Sequence, residues 1–299
     1  MLSSTTTHAT PRLLLRRAPA PEQSRYRSLA ERPAADRMCS PAGLHRRPWL
    51  ARLRRALSED LFVLHYQPIV SLHDGRVSHH EALVRLADQP DGSLVAPGRF
   101  LPAAERYGLI RDIDRMVLGK VAALLARERG EDGARIAMNV SALSVTDGEM
   151  LGHIERALAQ RDVDPARLVV EVTETAAISD MGRASAFCEG VQALGCAVAL
   201  DDFGTGFGSF HYLKRLPFSH LKIDGDFVRG LLHSHTDQLV VKALVGVARG
   251  LGRHTIAEFV GDRPTMVMLR SFGVDYAQGY EIGRPHPVLP RWPHAAAAV

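Results

Sequence analysis

The strongest constraint on this chain is a repeated unit: a helical stretch, a glycine, then a short apolar run. Leu194-Gly195, Leu251-Gly252 and Phe272-Gly273 each put a glycine where a helix should stop, just ahead of such a run. The runs occupy residues 64–70, 77–86, 135–140, 168–172, 197–200, 220–223, 255–257 and 274–277. Between them, apolar residues recur at helical spacing. Ile113, Met116, Val117, Val121, Leu124 and Leu125 form one stripe; Leu239, Val240, Ala243, Leu244, Val247 and Leu251 form another. The alternation predicts parallel strands with helical crossovers. Eight such strands point to a closed α/β barrel rather than an open sheet.

The first two runs break the pattern. Only residues 71–75 join them, ending in the hairpin signal Asp74-Gly75. A parallel crossover takes about a dozen residues or more, so this pair should be antiparallel and the barrel should carry one reversed strand.

Length and composition fit that architecture. The chain has 299 residues, 46% hydrophobic and 23% charged, enough for one barrel-sized domain of about 250 residues. Residues 1–47, rich in Thr, Ser, Pro, Ala and Arg, are expected to be a disordered tail, 48–290 the folded domain, and 291–299 a disordered end, with fraying from Pro285 onward. The tail holds nine arginines against Glu22, Glu31 and Asp36, a net +6, so the rest carries −2 of the overall +4. The high pI therefore belongs to the tail and says nothing of a basic groove in the folded part; no nucleic acid polymer is expected as a partner. No apolar run approaches the ~20 residues of a membrane span, and the patch Leu13, Leu14, Leu15 is too short for a secretory signal; a cytoplasmic location is expected. Cys39, Cys188 and Cys196 form no C-x-x-C pair, which argues against a disulfide framework or a zinc knuckle.

Acids fall repeatedly at strand ends. Alternation puts Glu81, Leu83 and Arg85 on one face of the second run. Asn139 closes the third, Glu171 lies in the fourth with Glu174 just beyond, and Asp201-Asp202 ends the fifth. Lys222 and Asp224 share a face of the sixth, Glu258 ends the seventh and Gln278 the eighth. In a barrel these ends form one rim. Hard oxygen donors without cysteine favour Mg²⁺ or Mn²⁺ over zinc, and adjacent carboxylates can hold two ions about 4 Å apart, as phosphodiester cleavage uses. His79-His80 does not make a zinc site, because neighbours on a strand face opposite ways. Gly204, Gly206 and Gly208 after the acid pair resemble a phosphate cradle, but isolated glycines of this kind more often make a bent, mobile loop, and a gating loop is the expectation here.

These residues resemble the EAL domain of cyclic di-GMP phosphodiesterases. The resemblance rests on Tyr66-Gln67-Pro68-Ile69-Val70, Glu81-Ala82-Leu83 with Arg85, Asn139-Val140-Ser141, Glu171-Val172-Thr173-Glu174, Asp201-Asp202-Phe203-Gly204-Thr205-Gly206, Leu221-Lys222-Ile223-Asp224 and Gln278-Gly279-Tyr280. It runs in order from about Pro48 to Pro287. It implies a modified TIM (β/α)8 barrel with the first strand antiparallel, and hydrolysis of cyclic di-GMP to linear pGpG. By position, Glu81, Asn139, Glu171 and Asp201 would bind one metal ion. Asp201 would bridge to a second, held also by Asp202 and Glu258. Lys222 would lie against the attacking water, Glu258 could serve as general base, Gln278 would orient the metal-water network, and Glu174 would anchor the glycine loop. Arg85 and Gln67 would contact the nucleotide. Family members are commonly homodimers. Others are silent cyclic di-GMP receptors or protein-interaction scaffolds, which are the competing readings. Two departures stand out: Gly261, followed by Asp262, occupies a position where many active members have Glu, and Gly208 and Phe210 replace a serine and a leucine.

Overall fold

The computed structural model describes residues 47–128, 133–204 and 212–289. Residues 1–46 of the expected tail, the terminal end, Gly206, Gly208 and Phe210 lie outside them, whereas Arg47, placed in the tail, opens the first helix. Eight strands close a barrel in chain order. They are β1 (Phe62–Ser71), β2 (Val77–Leu86), β3 (Ile136–Val140), β4 (Leu168–Thr173), β5 (Ala197–Phe203), β6 (His220–Ile223), β7 (His254–Ala257) and β8 (Tyr276–Gln278). β1 runs antiparallel to both β2 and β8, and every other pairing is parallel. The reversed strand follows from the short turn. The Ser71 carbonyl accepts from the backbone N–H of Gly75, the Ser71 N–H donates to the carbonyl of Arg76, and Gly75 takes a φ of 72°.

Helices α1 (Arg47–Ser58), α2 (Pro97–Arg106), α3 (Ile110–Arg127), α4 (Ala142–Thr146), α5 (Met150–Ala159), α6 (Glu174–Ser179), α7 (Met181–Ala193), α8 (Gly225–Arg229), α9 (His235–Gly250) and α10 (Arg263–Phe272) surround it. Gly195, Gly252 and Gly273, the three helix-stop glycines, all have positive φ. The stripe on α3 is buried at Ile113, Val117, Val121, Leu124 and Leu125. On α9 the buried face is Val241, Leu244, Val245 and Ala248, rotated from the expected one. Leu239 stands 54% exposed there. Past Pro285 the chain does not fray at once, since His286 exchanges backbone hydrogen bonds with Tyr66 of β1.

Strand register sorts the interior into levels. Glu81 lies level with Gln67, Asn139 with Glu171, Thr173 with Asp201, and Gln278 with Ile69. Beneath this polar level, Ala137, Val169 and Ala199 pack together on one side. On the other side, His79 of β2 meets His220 of β6 across the barrel, ring centroids 5.8 Å apart, with Tyr276 against both. The barrel is filled, with its polar mouth at the C-terminal strand ends.

Candidate active site

Lys222 is the centre of the mouth. It is fully buried, and its Nζ lies 2.8 Å from Glu258, 2.9 Å from Glu171, 3.0 Å from Asp201 and 3.8 Å from Glu81. Burial alone would pull the ammonium down, but Asp201, Glu171, Glu258 and Glu81 together hold it well above its ordinary value. Glu81 is fixed from both sides, accepting from Asn139 Nδ2 at 2.7 Å and from Gln278 Nε2 at 2.6 Å. Gln278 also donates to Gln67 Oε1, and Gln67 donates to the carbonyl of Gly283. Gln67 is thus a strut between β8 and the following turn as well as a mouth residue. Arg85, half-buried, donates to the carbonyl of Val84 and lies within electrostatic reach of Glu81 and Tyr280.

Asp201, Asp202 and Glu258 can bring carboxylate oxygens within 4.8 Å of one another. Strand alternation alone would send Asp202 to the opposite face. A left-handed backbone at Asp202 (φ 55°) and the break in β5–β6 register return it to the mouth. Asp tolerates that conformation better than most residues. Burial, with Asp201 adding and Lys222 opposing, pushes Asp202 up to about 6; the same balance pushes Glu258 up to about 8. Burial also drives Glu171 well up, and its Oε1 is buried with no hydrogen-bond partner among the described residues. One ammonium facing this many carboxylates, with a buried oxygen left unpaired, is an arrangement that could hold a hard divalent cation.

Surrounding elements hold these groups in place. Asp114 of α3 accepts from both the N–H and the Oγ of Ser141, pinning the turn after Asn139. Sequence reasoning missed it; the signal was an acid inside the apolar stripe of α3. Glu174, the buried first residue of α6, accepts from Gly204 N at 3.1 Å, where the glycine loop begins. Asp224 caps α8 and Asp262 caps α10, so both have structural duties. Two exposed rings flank the mouth with guanidinium groups over them: Phe259 under Arg229 at 4.4 Å and Tyr280 under Arg284 at 4.1 Å.

Fold and site define an α/β-barrel protein with a carboxylate-lined mouth that could hold a hard cation. The EAL domain model matches residues 50–285, and the chain belongs to that family. It is 38% identical over 237 residues to the bifunctional diguanylate cyclase/cyclic di-GMP phosphodiesterase MucR of Pseudomonas aeruginosa, covering 79% of this chain and 34% of the relative. It is 36% identical over 243 residues to the cyclic di-GMP phosphodiesterase PdeB of Shewanella oneidensis, covering 80% and 28%. The chain thus spans about a third of the length of these curated relatives. Among solved structures, the MucR phosphodiesterase in its c-di-GMP complex aligns with a TM-score of 0.76 at 37% identity, covering 80% of this chain and 98% of that one. The FimX EAL domain of P. aeruginosa bound to c-di-GMP aligns at 0.75 and 30%, covering 81% and 98%. No helix among the described residues is long and apolar enough to cross a membrane.

Proposed function

We propose that this EAL domain hydrolyses cyclic di-GMP to linear pGpG with two divalent ions, Mg²⁺ or Mn²⁺. The observation that carries the reading is the convergence of Glu81, Glu171, Asp201 and Glu258 on one buried lysine, with Asp202 turned back beside them. Glu81, Asn139, Glu171 and Asp201 would hold one ion; Asp201, Asp202 and Glu258 would hold the second. When bound, the ions supply positive charge against the phosphodiester and acidify a water for attack near neutral pH.

The remaining roles belong to the chain. Lys222 keeps its proton and would lie against the attacking water while balancing the acids. Gln278 and Asn139 fix the Glu81 carboxylate, and Glu174 fixes the start of the glycine loop. Glu258 could serve as general base, a role that a hydroxide supplied by the ions would make unnecessary. Arg85 and the free acceptor capacity of Gln67 would meet the nucleotide. The setting proposed is the cytoplasm, with the enzyme as a homodimer, which sedimentation tests.

Incubation of purified protein with cyclic di-GMP and Mg²⁺, Mn²⁺ or chelator, followed by chromatography, tests the activity. Metal-dependent pGpG is expected. Tight binding without product would mark a silent receptor, and absence of binding a scaffold; either result overturns the proposal.

A further inference from the structure

We propose that His79, His220 and His254 bind a borderline divalent transition ion, with zinc as the type case, at the end of the barrel opposite the carboxylate mouth. The inference does not rest on the phosphodiesterase reading. β2 carries His79 two residues before Glu81, and β6 carries His220 two residues before Lys222, so both rings face the interior one level below the mouth. The partner of His79 is therefore not its neighbour His80, which faces the other way, but His220 across the barrel, with ring centroids 5.8 Å apart. His254 of β7 lies level with His220, again at 5.8 Å. Two imidazoles that ligate one ion through nitrogens about 2.0–2.1 Å from it hold their ring centroids roughly 5–6 Å apart.

Two of the nitrogens lack any other duty. His79 Nε2 and His220 Nδ1 are buried with no hydrogen-bond partner among the described residues. Buried polar atoms are nearly always paired, so two unpaired ones on neighbouring rings call for a ligand. The other nitrogen of His79 lies 3.1 Å from Ser78 Oγ, and a proton donated there leaves the Nε2 lone pair open. Burial holds His220 down at about 4, so near neutral pH no proton has to leave before it ligates. Where this level needs only packing, Ala137, Val169 and Ala199 fill it.

His254 supplies the third ligand and the way in. Its side chain is 56% exposed, and its Nδ1 lies 3.6 Å from Asp275 Oδ1, too long for a hydrogen bond, so the ring is free to turn inward. As the side chains stand, the mouth trio Asp201, Asp202 and Glu258 is the one set of three such groups within 4.8 Å among the described residues; the imidazole site closes around its ion as His254 turns. Arg135 bears on His79 and His220 as a positive charge, but it is exposed and turns its Nε to the carbonyl of Ala166 at 3.2 Å. Imidazole nitrogens without a cage of hard oxygens select zinc, copper or nickel over Mg²⁺ or Mn²⁺. The two ends of the barrel thus sort ions by softness.

The test uses the full chain without an affinity tag, stripped of metal, held in excess Mg²⁺ and titrated with Zn²⁺ against a chromogenic chelator. Zn²⁺ binding that Mg²⁺ does not displace is expected. His220→Gln and His254→Gln should each weaken it by about tenfold or more. Asp202→Asn, at the mouth, should leave it within about twofold, as distant sites do. Cu²⁺ in place of Zn²⁺ should show nitrogen splitting in its paramagnetic resonance, diminished in either histidine variant. Melting checks that each variant folds; should His220→Gln fail to fold, His254→Gln decides alone, since its side chain is largely outside the core. No Zn²⁺ uptake over Mg²⁺, equal affinity in a folded histidine variant, or loss of the site in Asp202→Asn overturns the proposal. No arm reads pGpG, so this site and the phosphodiesterase reading stand or fall separately.

Discussion

The Nζ of Lys222 lies 2.8 Å from Glu258 Oε1, and both groups are almost fully buried. Lysine here is the only cation in contact with Glu81, Glu171, Asp201 and Glu258 among the described residues. Replacing it with Ala leaves buried carboxylates facing one another. Breaking a buried pair of this kind costs about 3–5 kcal/mol. Lys222→Ala should lose that much stability without metal and recover part of it with Mn²⁺, as urea unfolding would show. Equal loss with and without Mn²⁺ would contradict the cation site.

Metal affinity should rise with pH. Burial lifts Asp202 to about 6 and Glu258 to about 8, and both must shed a proton to ligate. For the ion that Asp201, Asp202 and Glu258 would hold, apparent affinity should climb about 100-fold per pH unit below pH ~6, about tenfold per unit up to ~8, and level off above. In the metal-free protein the sign reverses: these raised values favour folding at low pH, an advantage lost as pH rises through about 8. Calorimetry with Mn²⁺ across that range would read the slope, and a flat profile would refute it.

His220 sets a second pH dependence. Burial, with His254 and Arg135 adding and Asp275 opposing, lowers it from 6.5 to about 4. The unfolded chain takes up this proton near 6.5 while the fold resists until about 4. The stability it contributes is present above 6.5 and is lost as pH falls through that window, by on the order of 3 kcal/mol. His220→Gln should flatten the fall measured by denaturant unfolding; an unaltered slope would assign it elsewhere.

Gly261 is a vacancy for a side chain. A Cβ there would meet only the carbonyl of Phe259, at 3.9 Å, and its φ is not left-handed. Asp262 cannot stand in, because its carboxylate caps α10. Gly261→Glu should fold within about 0.5 kcal/mol of the wild type. Its turnover should match or exceed the parent's; a drop in either quantity would show that the loop needs glycine.

Much of the architecture was legible because it rests on local periodicity. The eight runs became eight strands, and the short Asp74-Gly75 link became the reversed pair. What escaped was set by backbone detail or by closure. Alternation gave no hint that Asp202 returns to the mouth, since that depends on one left-handed residue and a register break. On α9, apolar residues surround much of the helix, so spacing could not choose between Leu239 and Val241 as the inward side. His79, His220, His254 and Tyr276 sit on four strands, and only ring closure makes them neighbours.

That stacking of levels inside the barrel makes acidification a two-ended stress. As protons accumulate, the carboxylate end stops competing for cations, and soon afterwards the imidazole end acquires charge it cannot hydrate. The molecule would lose its catalytic ions before it loses its shape, so a mild acid pulse should silence it reversibly, whereas a deeper one should melt it from the opposite pole.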